Sequence, residues 1–217
     1  MTEFVVRGTA SQIYSAECVS VPLTAEFEEL KSVAAHEKAV ALQSRLISAV
    51  RELETAGSVR NWSSDRVRSR SYRPTDHDGR LQPPIYRTSI SVSVEFTDFD
   101  ALAPFMDAWG ARDGVQIGEL HWAVLRENRD AYEADVRSQA VRNAIAKAQA
   151  YADAVDAGAV RALALGDPGM LSTGVSSNGP VVRAAMFAAP AGGHALEIQS
   201  DGVEISVSVD ARFVAGE

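Results

Sequence analysis

Cysteine and histidine are scarce in this sequence, and their scarcity excludes several kinds of site. Cys18 is the only cysteine in 217 residues, so neither an intrachain disulfide nor a cysteine-based zinc site can form. The histidines also lack the i, i+4 or His-x-His spacing that metal sites favour. We therefore predict no metal site and no cofactor. The histidines are His36, His77, His121 and His194.

Long apolar runs and a basic leader are missing as well. No stretch of about 18 apolar residues occurs, so we expect no transmembrane helix and no membrane insertion. The first residues, 1–8, contain no basic segment followed by an apolar one, which is the pattern of a signal peptide. These two observations together predict a cytoplasmic protein.

The motifs of common enzymes are not found either. Residues 110–114 lie between glycines but have neither the Walker spacing nor the dinucleotide-binding pattern. The serines within 172–177 make no Gly-x-Ser-x-Gly sequence. Residues 76–79 resemble part of a calcium loop, but Pro74 and Ile85 fall where that loop requires carboxylates. We therefore predict no catalytic residues and expect that the protein is not an enzyme.

The net charge is acidic, with one basic exception. The formal charge of -8 argues against a general nucleic-acid binder. Between residues 57 and 90, however, the sequence contains seven arginines and only three aspartates. Residues 59–72 read as a strand, in which Arg66, Arg68 and Arg70 alternate onto one face. Such a face suits an anionic ligand or partner, an edge strand whose charges prevent aggregation, or pairing with an acidic neighbouring subunit.

The hydrophobic pattern predicts an α+β fold. Ala140, Ala144, Ala148 and Ala152 are four residues apart and form one row on a long alanine-rich helix that Gly158 would cap. Clean apolar alternation over 86–96 and 202–214 predicts half-buried antiparallel strands. The order over 12–125 is the ferredoxin-like βαββαβ, in which helices cover one face of a mostly antiparallel sheet.

Other parts of the pattern set the expected boundaries. We expect a hairpin around residues 8–11, and a helix that begins at Thr24, with Glu26 in its first turn, and that ends at Gly57. The composition shows no sharp break, so we predict one domain over 1–217, with 1–125 and 126–217 as its two lobes. Glycine, proline, serine and alanine dominate 166–193, which predicts a flexible loop.

Several of these segments together resemble a known family. The pattern resembles the SIMPL domain family, a domain of unknown function whose bacterial relatives include periplasmic immunogenic proteins, and it covers nearly the whole chain. The segments are Val6-Arg7-Gly8, Leu53-x-x-x-Gly57, Tyr86-x-x-x-Ile90-x-Val92-x-Val94, Arg137-x-x-Ala140-x-x-x-Ala144-x-x-Lys147-Ala148-x-x-x-Ala152 and Val203-x-Ile205-x-Val207-x-Val209.

The resemblance implies an α+β fold and ring-like or channel-like homo-oligomers, with no established enzyme activity and no catalytic residues. Many bacterial relatives carry an export signal, which this sequence does not show. Our leading hypothesis is a non-enzymatic, self-assembling scaffold or stress-linked protein. One alternative is a small-ligand or anion-binding module that uses the arginine-rich strand 60–73. The other is an enzyme whose site assembles from distant residues such as His121, Asp113 and Ser172.

Overall fold

The computed structural model describes residues 1–171 and 202–216, which group into two compact units. Of the described residues, the first unit holds 1–15, 124–171 and 202–216, and the second holds 16–123. That the chain forms one domain stays a prediction. In chain order the elements are β1 (Thr2–Tyr14), β2 (Cys18–Glu29), α1 (Ser32–Ala56), β3 (Val59–Ser64), β4 (Arg68–Tyr72), β5 (Ile85–Phe96), α2 (Leu102–Gly110), β6 (Val115–Ile117), β7 (His121–Ala123), α3 (Arg126–Ala154), β8 (Arg161–Gly166) and β9 (Val203–Ala215).

The first unit is a three-stranded antiparallel sheet under the long helix α3. Its strand order is β1-β9-β8, and β1 pairs with β9 along its whole length, from Thr2 opposite Ala215 to Tyr14 opposite Val203. Alternate residues of β9 point toward α3, and Ala211 and Phe213 among them are almost fully buried. Because the apolar residues repeat every second position, one face of the sheet forms the core of this unit.

The alanine row predicted from the sequence is the surface by which α3 meets the sheet. Ala140, Ala144, Ala148 and Ala152 are all fully buried. Gly8 of β1 lies under this row, and a Cβ atom there would collide with the carbonyl oxygen of Ala140 and lie 2.7 Å from the Cβ of Ala144. The helix backbone can approach the strand this closely only because both elements carry minimal side chains at the crossing.

Two local predictions for this unit were wrong. No hairpin forms around residues 8–11, because β1 continues through them and pairs with the distant β9 rather than with β2. Gly158 does not cap α3, which ends at Ala154 with Val155 as its C-cap. Gly158 lies in the turn beyond, where its φ of 86° is left-handed, a conformation that glycine adopts without steric cost.

An ion pair between the exposed Arg7 and the largely buried Asp210 lies on the outer face of the same sheet. Arg7 donates two hydrogen bonds to Asp210, with Nε–Oδ1 at 2.6 Å and Nη2–Oδ2 at 3.1 Å. The backbone N–H of Gly169 also donates to Asp210, at 2.7 Å. The hydrogen bond from Arg7 is the main cause that holds the pKa of Asp210 below its ordinary value, against the opposing effect of burial. Asp210 thus ties the turn after β8 to the centre of the sheet.

The second unit has the predicted ferredoxin-like order. Its sheet is antiparallel, in the order β3-β5-β2-β6, and the chain runs β2-α1-β3-β5-α2-β6. Strand β4 continues along β5 beyond β3, and β7 continues along β2 beyond β6. The apolar face packs against both helices around the side chains of Val21, Leu23, Leu46, Val94, Phe96 and Leu102. The α+β class and the helices on one face are therefore confirmed.

The predicted start of α1 at Thr24 was wrong. Thr24 lies within β2, where Val19, Val21, Leu23 and Ala25 alternate onto the buried face. The helix begins at Ser32, after Lys31. The glutamates after Thr24 suggested the start of a helix. Instead, the strand continues to Glu29, because its residues alternate between the two faces and pair with β5 along this whole length. The end of the helix at Gly57 was confirmed, with a left-handed φ of 84°.

A larger side chain in the alanine row should destabilise the first unit. Ala144→Leu adds bulk where the helix already touches Gly8, so we expect a loss of about 1–3 kcal/mol in the free energy of unfolding, measured by urea denaturation. Ala146→Leu, two residues along the same helix at an exposed position, is the matched control and should change little. Equal stability of the two variants would show that the row does not pack as described.

Asp210→Asn should make stability less dependent on acid. Because folding lowers the pKa of Asp210, its contribution is complete above the unfolded-state value of about 3.9 and is lost as pH falls through the folded-state value. We expect the variant to be less stable than the parent at pH 7 and the difference to shrink below about pH 4. Urea denaturation across this range measures it, with exposed Asp130→Asn as the control.

Candidate functional site

The arginine-rich segment forms one edge of the sheet in the second unit. It is not the single strand predicted over 59–72, since β3 and β4 pair with β5 on either side of residues 65–67. Arg66 therefore lies in the break between the strands, whereas Arg68 and Arg70 belong to β4. The predicted site residues are brought together along one edge, but only Arg68 and Arg70 share the regular alternation.

The guanidinium groups of this edge are open to water. All five residues of β4 are exposed, and so is Arg66. The side chain of Arg68 is 75% exposed and has one ion pair, with Asp65 at 3.4 Å, which water weakens. Within the described residues, Arg66 and Arg70 make no ion pair. These two groups are free to meet an anionic partner.

A charged cluster that the sequence did not reveal lies beside this edge. Arg87 on β5 contacts two glutamates of β2, Glu26 at 2.9 Å and Glu28 at 2.8 Å. The hydroxyl of Tyr72 donates to Glu28 at 3.2 Å. The pKa of Tyr72 is raised above its ordinary value. Burial is the larger cause, and the hydrogen bond to Glu28 is the second. The alternation of Glu26 and Glu28 was the available signal, but it was assigned to the first turn of a helix.

The neutralisation of Arg87 leaves the charge of Arg70 without compensation. Arg70 lies directly opposite Arg87 in the register of the two strands. Like charges in this position destabilise a sheet by a few tenths of a kcal/mol to about 1 kcal/mol. Both glutamates contact Arg87, so the positive charge in excess is that of β4. The edge is therefore basic in the folded unit as well as in the sequence.

The sheet face away from α1 and α2 is polar. Its central positions on β2 and β5 carry small hydroxyl groups, and the hydroxyls of Ser20 and Ser93 are 3.0 Å apart. These two strands present no aromatic side chain on this face, so they offer no platform on which nucleic-acid bases could stack. The face-lining residues are Ser20, Pro22, Thr24, Glu26 and Glu28 of β2 and Arg87, Ser89, Ser91, Ser93 and Glu95 of β5.

The distant residues named for an alternative enzyme site are only partly described. His121 is exposed on β7, and Asp113 is exposed in the turn before β6. Ser172, and the predicted loop 166–193 from residue 172 onward, lie outside the described ranges. In residues 1–171 and 202–216, no group of three or more His, Cys, Asp or Glu side chains could hold a metal ion. No helix in those ranges is long and apolar enough to span a membrane.

The polar side chains at and beside this edge are guanidinium groups, carboxylates and hydroxyls. The comparison with known families agrees with the fold and the resemblance seen in the sequence. The model of SIMPL, described as a protein of unknown function (DUF541), matches residues 4–213. A search of curated proteins finds no match. The match spans both units and nearly the whole sequence, and the chain therefore belongs to the SIMPL family.

Proposed function

We propose that this chain is a non-enzymatic SIMPL-domain protein that acts by assembling with copies of itself, as a scaffold or stress-linked factor. The observation that carries the proposal is the open edge of the second unit's sheet. Strand β4 pairs with β5 on one side and, within the described residues, with no strand on the other. Such an edge presents unpaired backbone N–H and C=O groups, which another chain can extend.

In the first unit, by contrast, the edge strand β1 is covered by side chains of α3. Side chains of α3 cover the outer edge of β1, where Asn143 accepts a hydrogen bond from the N–H of Thr9 at 3.1 Å. Lys147 donates to the carbonyl of Arg7 at 2.9 Å. These contacts satisfy backbone groups that a second chain would otherwise pair with. The β4 edge has no such cover among the described residues, which supports it as a surface for assembly.

Size-exclusion chromatography with light scattering tests the proposal. We expect a mass that is a multiple of the monomer mass and that falls on dilution toward the monomer, since assembly depends on concentration. A monomer at every concentration up to the limit of solubility would contradict self-assembly.

A second candidate function is the binding of an anionic ligand at the arginine-rich edge. It is favoured by the free guanidinium groups of Arg66 and Arg70 beside the weakly paired Arg68. Guanidinium groups bind carboxylates and phosphates through paired hydrogen bonds, so small polyanions are the natural ligands. This function does not require assembly, and the two candidates can be separated.

Thermal-shift measurements with citrate and inorganic phosphate test the second candidate. We expect a ligand to raise the melting temperature of the parent, because it binds only the folded state, and to have less effect on Arg68→Ala. Arg45→Ala, at an exposed position on α1, is the control and should respond like the parent. Sodium chloride at equal ionic strength removes the effect of screening. No shift in the parent would reject this function.

A further inference from the structure

We infer that copies of this chain join head to tail, with the basic β3–β4 edge of one copy against the acidic β6 edge of the next. This inference rests on the proposed self-assembly and names the two surfaces that meet. Both edges belong to one sheet, in the order β3-β5-β2-β6, so they are its opposite ends. A contact between opposite ends is heterologous and continues from copy to copy.

The first surface is the basic edge. From residue 66 to residue 73 the segment carries Arg66, Arg68, Arg70 and Arg73 and no acidic residue. At roughly 3.3 Å per residue, this run of charge is about 23 Å long. All four arginines are exposed, and Arg70 in addition faces Arg87 across the sheet. Because Glu26 and Glu28 already neutralise Arg87, the arginines of the edge are the charges that a partner's carboxylates would meet.

The second surface is the acidic edge. Strand β6 pairs with β2 on one side, and it is flanked by the exposed carboxylates of Asp113 and Glu119. No lysine or arginine occurs from 113 to 119. Strand β6 itself is three residues long, and Asp113 lies in the turn before it, where the N–H of Val115 donates to the carbonyl of Arg112 at 3.2 Å. The two carboxylates therefore lie beyond the two ends of a short strand, where arginines of a basic edge laid along that strand would meet them.

Pairing of the basic edge with a second basic edge is opposed by its own charges. In an antiparallel pair of β4 strands around a two-fold axis, a register centred on residue 68 places Arg66 opposite Arg70. A register centred on 69 places Arg68 opposite Arg70, and one centred on 70 places Arg70 opposite itself. Like charges directly opposite destabilise a sheet, so these symmetric dimers are disfavoured. The acidic edge offers the same backbone groups without the repulsion.

Charge reversal with a mixing step tests the contact. The first variant is Arg66→Glu with Arg68→Glu and Arg70→Glu, and the second is Asp113→Arg with Glu119→Arg. Each alone makes both edges carry the same sign, so we expect the half-assembly concentration to rise at least about tenfold. An equal mixture restores opposite signs at every junction, and it should assemble within about threefold of the parent. Light scattering measures all three samples.

A matched control separates a local contact from net charge. Arg45→Glu with Arg137→Glu and Arg142→Glu makes the same change in net charge as the first variant, at exposed helical positions, and it should assemble like the parent. Circular dichroism melts establish that each variant is folded. Arg70→Glu brings a third carboxylate to Arg87, which Glu26 and Glu28 already contact, so the melts are decisive for this position.

The outcomes distinguish this inference from the proposed function. A parent that stays monomeric overturns both. A parent that assembles while the reversals and the control behave alike overturns only the head-to-tail contact, and it points to another surface, such as the short edge of β8. Loss of assembly in both reversals without recovery in the mixture also overturns it, because opposite charges would then meet and still fail to join the copies.

Discussion

The close contact between α3 and β1 is the constraint on which the first unit depends. The helix backbone lies against the strand, and a methyl group at Gly8 would collide with Ala140 and Ala144. This proximity also brings Asn143 and Lys147 within hydrogen-bond distance of the backbone of β1. Packing of small residues therefore closes an edge of the sheet, and one feature of the sequence accounts for both the core and the protection of the strand.

The described part of the second unit has no helix over its edge strand β4. Its central strands alternate strictly, with one face buried under α1 and α2 and the other lined by hydroxyls and charged groups. Nothing among the described residues covers the backbone of β4 as α3 covers that of β1. The charges of the edge discourage random pairing, and in the proposed assembly they also select an acidic partner. Protection and specificity are then two effects of the same arginines.

The two ends of the sheet in the second unit carry charges of opposite sign. The guanidinium groups collect at one end, and Asp113 and Glu119 lie at the other, while Arg87 is neutralised between them by Glu26 and Glu28. A chain with a net charge of -8 can thus present a basic edge that is not cancelled internally. Electrostatic complementarity of this kind acts mainly on the choice and orientation of partners.

By itself, the sequence determined the features that depend on local period and residue size. The row from Ala140 to Ala152, the βαββαβ order and the end of α1 at Gly57 could all be read directly, because spacing and steric freedom act over a few residues. The tertiary structure decided the pairing. β1 joins β9 about 200 positions away, β2 remains a strand beyond Thr24, and Arg87 rather than Arg70 meets the glutamates. These outcomes depend on hydrogen bonds and burial between distant segments, whose energies no local pattern contains.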